Sequence, residues 1–259
     1  MKTVKKYTNE LYRQFDYFAT WLPGTPLELG DIGLFKNNEF TKISNLKNEG
    51  IVFQIKEDTT KTDLEHMTKG EVSVMTKIAG TVPALGSVLA NGDAGFSISF
   101  SQENAILFKA NGTLSPCISD QIKLGKEIIQ RYQQGEWDKD WAVITELVTA
   151  DSATIIISSS QDAKIELKAK ADISTAKLDI ADASLNLECA FSKDLYTKIV
   201  AEQGITPLFK MKKIRSSIFT DPVFKTRMLR PMDLMTPAKA KKSPELLYFD
   251  DVDYDLREE

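Results

Sequence analysis

The chain of 259 residues is long enough to bury a hydrophobic core without help from disulfides or metal ions. Its hydrophobic content of 42% and charged content of 27% are typical of globular proteins, and a net charge of −4 gives it no overall attraction to nucleic acid. The chain contains no run of 18 apolar residues and no apolar run behind its first lysines, so we expect neither a membrane-spanning helix nor a signal peptide, and a cytoplasmic location.

The first segment has apolar residues at helical spacing and predicts an amphipathic helix over residues 2–18. The apolar positions are Val4, Tyr7, Leu11, Phe15 and Phe18. Two roles are open for this helix: its apolar stripe packs on a sheet, or its basic residues Lys5 and Lys6 contact a membrane. Proline and glycine residues at 23–26 end the helix, and Gly30, Asp31 and Gly33 predict a second turn.

From residue 71 the apolar residues recur with a period of two, which predicts antiparallel strands that have one apolar and one polar face. The strands cover residues 72–78, 96–100 and 106–110. A helix is predicted over 118–134, with Ile118, Ile122, Gly125, Ile129 and Tyr132 on its apolar face. Residues 141–148 are apolar on both faces, which favours a central strand.

The segment 153–191 has the longest alternation in the chain. Apolar residues from Ala163 to Ile173 alternate with charged ones, and after a turn a second arm with a bulge near 181–182 runs to Phe191. About eleven alternating residues exceed the usual strand length of five or six. The segment is either a long hairpin over a core or one that can exchange protein for lipid. The candidate hairpin residues are Ile165, Leu167, Ala169, Ala171, Leu185 and Leu187.

The end of the chain separates by charge. Residues 210–242 hold ten basic and two acidic residues, a net charge of +8, whereas residues 243–259 have a net charge of −6. Four prolines interrupt the stretch between Thr220 and Pro244. Residues 219–259 are therefore either a partly disordered tail or a detachable segment with apolar anchors that dock on the rest of the protein. The anchors are Phe224, Met228, Leu229, Leu246, Leu247, Tyr248 and Phe249.

Residue types that carry catalysis are scarce. The single histidine, His66, lies in a polar run and is predicted to be a surface residue, while Cys117 and Cys189 are predicted to be free thiols. Glu146 lies in the most apolar strand, where a paired or edge position is favoured over a catalytic one. We therefore expect no catalytic site, no metal site and no cofactor, and we predict that the protein is not an enzyme.

The order of these elements resembles the membrane-active N-terminal domain of gasdermins. It includes the N-terminal helix, the Leu-Glu-Leu-Gly-Asp-Ile-Gly turn at 27–33, the helix at 118–134, the 163–191 hairpin and the basic strand from Pro207. The resemblance covers residues 1–218. The chain differs from many bacterial members at Lys2 and Thr3, where those members carry a lipid-modified cysteine.

From the elements themselves we predict an α+β fold with a twisted, mainly antiparallel sheet, long amphipathic hairpins, flanking helices at 2–18 and 118–134, and a C-terminal tail. The resemblance implies a latent pore-former: a protease removes the tail, the hairpins refold, and copies assemble into a homo-oligomer in an anionic membrane. The candidate membrane contacts are Lys5, Lys6, Lys210, Lys212, Lys213 and Arg215. The alternative hypothesis is a non-enzymatic binding or structural module that docks a partner through its tail.

Overall fold

The computed structural model describes residues 2–170, 178–217 and 246–252. Over these residues the chain forms two α-helices, one short 3-10 helix and sixteen strands with antiparallel pairing, which confirms the predicted α+β class. The helices are α1 (Lys2–Phe15) and α2 (Gln121–Gln134), and the 3-10 helix is Ala183–Leu185. The strands are β1 (Phe18–Ala19), β2 (Asp31–Lys36), β3 (Glu39–Asn45), β4 (Ile55–Lys56), β5 (Thr62–Met67), β6 (Val72–Lys77), β7 (Gly95–Phe100), β8 (Ile106–Thr113), β9 (Cys117–Ile118), β10 (Trp141–Val148), β11 (Ser152–Ser158), β12 (Lys164–Lys168), β13 (Glu188–Lys193), β14 (Leu195–Gln203), β15 (Leu208–Ser217) and β16 (Leu246–Asp251).

The chain passes between two compact units, neither of which is one continuous segment. The first unit contains Met1–Pro26, Thr59–Leu114 and Val148–Leu208. The second unit contains Leu27–Asp58, Ser115–Leu147 and Phe209–Glu259.

The first unit has three layers: α1, an inner sheet of strand order β14-β11-β8-β5, and an outer sheet of order β13-β12-β7-β6. Alternate residues of the inner sheet face opposite ways, so Phe108 and Ile155 pack with Tyr7 and Leu11 of α1. Their neighbours Leu107 and Ile156 belong to the core shared with the outer sheet. All seven residues of β11 are buried for this reason.

The prediction that residues 106–110 form a strand with one polar face was wrong. Both faces of the inner sheet are covered, one by α1 and one by the outer sheet, and of residues 106–110 only Lys109 is less than fully buried. The outer sheet keeps the predicted alternation, because Phe96, Ile98 and Phe100 of β7 point into the core between the sheets.

The 163–191 hairpin is shorter than its sequence pattern predicts. Its first arm is the five-residue strand β12, which pairs with β7 and β13. Its second arm becomes a strand only at Glu188, because residues 183–185 form the 3-10 helix, with Asn186 in the left-handed region at φ 45°. The predicted bulge near 181–182 is thus a turn into this helix. Residues 171–173 lie outside the described chain.

The second unit packs α2 on a sheet of order β15-β10-β2-β3, which has β10 as a central strand, as predicted. Helix α2 begins at Gln121, where the Asp120 side chain accepts a hydrogen bond from the Lys123 amide (3.0 Å), and it ends at Gly135 as predicted. Ile118 belongs to β9 instead, and Ile122 is 53% exposed. Ile122 lies at the margin of the face that Leu124, Ile128 and Ile129 bury, so the predicted face was wrong at its first two positions.

The predicted turn at residues 30–33 ends earlier than expected. Gly30 has φ +83°, but Asp31 and Gly33 already belong to β2. A Cβ on Gly33 would overlap the Thr41 carbonyl oxygen and the Phe40 ring of β3, so this glycine permits close approach of two strands instead of a turn. The buried Asp31 carboxylate meets Asn45 Nδ2 and Lys42 Nζ, both at 2.8 Å.

Candidate functional site

The connection between β6 and β7 in the first unit turns its apolar side chains away from the protein. We call residues 78–93 the strap. Its large apolar residues are Ile78 (58% exposed), Val82 (86%), Leu85 (106%) and Val88 (55%), while Leu89 is buried. Glycines at 80 and 86 with positive φ, together with Pro83, prevent a helix or a strand that would bury these side chains.

The strap lies on the outer face of the outer sheet, where the Glu166 carboxylate is its main point of attachment. Glu166 of β12 is fully buried. Its Oε2 accepts hydrogen bonds from the Val88 amide (2.7 Å) and the Ser87 hydroxyl (2.9 Å), and Lys164 Nζ forms an ion pair with Oε1 at 2.5 Å. Burial acts to raise the pKa of Glu166, but the Lys164 ammonium and the two strap donors outweigh it, and the pKa lies below its usual value.

Two lysines hold the end of the strap. Lys77, only 8% exposed, donates to the carbonyl oxygens of Asn91 (3.2 Å) and Asp93 (2.5 Å). Lys168 Nζ lies 2.6 Å from the Asp93 carboxylate, and this contact, with the Ala90 amide, lowers the pKa of Asp93. Polar groups of Ser87, Val88 and Asp93 therefore face the sheet, whereas four of the strap's five large apolar side chains face away from it, the reverse of an ordinary surface loop.

A cleft of about 210 Å³ opens between the strap and strands β6 and β7. Met75, Val82 and Leu89 supply its apolar wall, and Lys77, Ser87 and Ser97 its polar wall. Met75 is itself 49% exposed, so the apolar surface continues from the strap onto β6.

The sequence interpretation missed the strap. It ended the strand at 78 and resumed at 96, because the residues between have neither strand alternation nor an uninterrupted helical pattern. A signal was present, since Ile78, Val82, Leu85 and Val88 follow one another at spacings of three and four in a segment rich in glycine. Apolar residues at that spacing in a segment that cannot be helical have no element to bury them.

The predicted hairpin residues lie in the first unit, mostly with their side chains inward. Ile165 and Leu167 are fully buried between the two sheets, Ala169 follows β12 and is buried, and Leu185 is buried in the 3-10 helix. Leu187 is half-buried, and Ala171 lies outside the described residues. The opposite side of β12 carries Lys164, Glu166 and Lys168, so the strand has the two-sided character that its sequence predicts.

The basic residues predicted to contact a membrane fall in both units. Lys5 and Lys6 lie on α1 and are half-buried, and Lys6 Nζ is 2.7 Å from Glu71 and 3.8 Å from Glu10. Lys210, Lys212, Lys213 and Arg215 lie on β15 of the second unit, all half-buried.

The acidic end of the tail covers the basic strand. Strand β16 pairs antiparallel with β15, with Phe249 opposite Ile214 and Leu246 opposite Ser217. Leu247 and Phe249 are buried in the core formed with α2. Lys212 Nζ lies 3.2 Å from the Asp251 carboxylate. The docked alternative for these anchors is therefore the observed one; Phe224, Met228 and Leu229 lie outside the described residues.

His66 is not on the open surface, where the sequence placed it. Its Nε2 lies 2.8 Å from Glu10 Oε2, which also accepts a hydrogen bond from the Thr68 hydroxyl (2.7 Å). These groups join α1 to β5 and the residue after it. Burial acts to raise the pKa of Glu10. The hydrogen bonds from His66 and Thr68 and the charge of Lys6 lower it by more, so the pKa lies below its usual value.

Within 2–170, 178–217 and 246–252 no three His, Cys, Asp or Glu side chains are placed to hold a metal ion. Glu146 is half-buried beside Cys117, whose pKa is raised by burial and by that carboxylate. Neither of the two helices in this part of the chain is long and apolar enough to cross a membrane.

No family model matches the chain, and no curated protein matches it. The strap of the first unit and the docked tail strand of the second unit are the two features whose chemistry suggests a function.

Proposed function

We propose that this chain is a latent membrane-perforating protein, gasdermin-like in mechanism, that its C-terminal segment keeps inactive until a protease cuts between residues 218 and 245. The strap then enters an anionic membrane, and copies of the chain assemble into a homo-oligomeric pore. The proposal needs no cofactor, no catalytic residue and no nucleic acid.

The inverted polarity of the strap is the observation that carries this proposal. Full burial of a valine or leucine side chain is worth about 1.5–3 kcal/mol relative to exposure in water. Val82 and Leu85 forgo nearly all of that gain in the described structure, at 86% and 106% exposure. A lipid surface would recover it, and the polar groups of Ser87, Val88 and Asp93 already have partners on the protein side.

The outer sheet supports the same proposal. A strand that separates lipid from water must alternate apolar and polar residues. Ile165 and Leu167 alternate with Lys164, Glu166 and Lys168 in β12, and Phe96 and Ile98 alternate with Ser97 and Ser99 in β7. These two strands are neighbours, and β7 begins where the strap ends.

The tail supplies the means of inhibition. Strand β16 neutralises part of the basic surface of β15 through Asp251 and fills the core beside α2 with Leu247 and Phe249. The connection that would be cut, residues 218–245, holds six of the ten basic residues between 210 and 242. Removal of β16 would take the Asp251 carboxylate away from Lys212 and would let the charges of Lys210, Lys212, Lys213 and Arg215 act on anionic lipid, at about 1 kcal/mol per charge near the surface.

Liposome leakage before and after a defined cut tests the proposal. A recognition sequence for a specific protease is inserted between residues 230 and 240, and dye-filled vesicles of phosphatidylcholine and phosphatidylserine are added. We expect leakage after cleavage and none from the intact chain or from a variant with a scrambled recognition sequence. Sealed vesicles after complete cleavage and removal of the tail would end the proposal. A stable complex with a protein partner that depends on residues 219–259 would then favour the docking module.

A further inference from the structure

Glu166 does more than balance the charge of Lys164. It is a fully buried carboxylate whose partners come from a separate stretch of chain, 78–79 residues away in sequence. Three consecutive strap residues bond to the Lys164–Glu166 pair: Lys164 Nζ donates to the Gly86 carbonyl oxygen (3.2 Å), and Ser87 and Val88 donate to Glu166.

The rest of the strap is held weakly. Its first half bonds to the strap itself, through the Thr81 hydroxyl and amide to Ile78 and the Gly80 amide to Asn91. Leu89 is its one large apolar side chain among the described residues that is buried. The end near Asp93 stays attached to Lys77 and Lys168. The middle of the strap thus depends on the Lys164–Glu166 pair, whereas its end is held separately by Lys77 and Lys168.

We infer that the strap is a releasable element that Glu166 latches onto the outer sheet, with Asp93 and Lys77 as the fixed end about which it opens. Opening breaks the bonds of Gly86, Ser87 and Val88 together, because all three are made to the Lys164–Glu166 pair and the buried carboxylate is costly to leave without its donors. It bares the charged outer face of β12 and leaves the inner core intact. The inference holds whether or not the strap ever meets lipid.

Hydrogen exchange of the intact chain in solution, without membranes, tests the latch. The Val88 amide reports directly, because it donates to Glu166. In Glu166→Gln we expect its exchange to accelerate at least about tenfold, since a neutral amide keeps one acceptor but loses the charge. The amides of Phe96 and Ile98 in β7 should stay within about twofold of the parent.

Glu188→Gln is the matched control. Glu188 lies on the neighbouring strand β13 and pairs with Lys170 at 3.2 Å, but both side chains are more than half exposed. Its exchange profile at Val88 should equal the parent's. Ser87→Ala removes one donor and leaves the carboxylate charged, so it should accelerate exchange of the Val88 amide by a smaller factor than Glu166→Gln. If Glu166→Gln does not fold, Ser87→Ala tests the latch by itself.

Two results would overturn the inference. One is an unchanged Val88 exchange rate in both Glu166→Gln and Ser87→Ala. The other is equal acceleration at Val88 and throughout β7 and β12, which would make Glu166 a support of the sheet and not a latch of the strap.

Discussion

Replacing one tail residue should detach the tail strand without any protease. Phe249 is 4% exposed and lies in the core with α2, opposite Ile214 on β15. Truncation of a buried phenylalanine to alanine costs about 3–5 kcal/mol. A loss of 3 kcal/mol shifts the balance between docked and detached tail by roughly 150-fold, at about 1.4 kcal/mol per factor of ten.

Tyr248→Ala is the matched control for Phe249→Ala. Tyr248 is the preceding residue of the same strand, faces the other way and is half-buried. Hydrogen exchange of the β15 amides measures detachment, and exchange of the β2 amides shows whether the sheet itself persists. We expect Phe249→Ala to expose β15, and to leak anionic vesicles uncut, far more than Tyr248→Ala. Equal behaviour of the two variants would refute the claim that the Phe249 side chain anchors the tail.

Three further predictions concern stability, each measured by urea unfolding. The buried hydroxyl of Tyr7 has no hydrogen-bond partner among the residues that the structure describes, so Tyr7→Phe should keep the free energy of unfolding or raise it by about 1 kcal/mol. Leu11→Ala, in contrast, should lower it by about 2–5 kcal/mol. A large loss in Tyr7→Phe would show that the hydroxyl does have a partner. Gly33→Ala should lose about 1–3 kcal/mol by overlap with Thr41 and Phe40, while Gly92→Ala, which has open space, should change little. The pKa of Glu10 is lowered in the folded state, so the stability that this carboxylate adds is present above its unfolded pKa of about 4.3 and is lost as the pH falls through the folded pKa. Glu10→Gln should therefore make the free energy of unfolding depend less on pH on the acid side. An unaltered pH dependence would contradict the pairing of Glu10 with His66 and Thr68.

Local patterns predicted the elements whose burial is decided nearby. The apolar spacing of Tyr7 and Leu11 predicts α1, although the helix predicted over 2–18 ends at Phe15 and Phe18 lies in β1. The C-terminal glycine of α2 ends that helix at the expected residue. The docking of Leu247 and Phe249 was one of two open alternatives for the tail, and their alternation with Tyr248 is typical of a strand with one buried face. In these cases the residue pattern and the tertiary contacts favour the same structure.

The predictions failed where segments distant in sequence determine whether a residue is buried or paired. Lys109 lies in a strand covered on both faces, which a period-two pattern in that strand alone cannot reveal. Residues 183–185 keep strand-like alternation, yet Asp182 caps a 3-10 turn there because its carboxylate accepts from the Ser184 amide. His66 is bound by Glu10, 56 residues earlier, so its partner could not be predicted from its polar surroundings in sequence.

Only one of the two parts of the candidate site, strand β12, could be predicted from the sequence, for the same reason. The alternation of β12 is local and was predicted, including the charged row at Lys164, Glu166 and Lys168. The strap depends on a carboxylate about 80 residues further along the chain, and its exposed Val82, Leu85 and Val88 look like ordinary loop residues until their environment is known. Only the fold reveals that its polarity is inverted.

Contact between the strap and lipid is the central claim, and a fluorescence measurement tests it most directly. In a chain with Cys117→Ser and Cys189→Ser, an environment-sensitive dye is placed at Val82→Cys or at Val52→Cys, which is equally exposed at 85% but lies in the second unit. After the tail is cut and anionic vesicles are added, the dye at 82 should report an apolar environment while the dye at 52 remains in water. A dye at 82 that stays in water while the vesicles leak, or that responds no more than the dye at 52, would contradict the account.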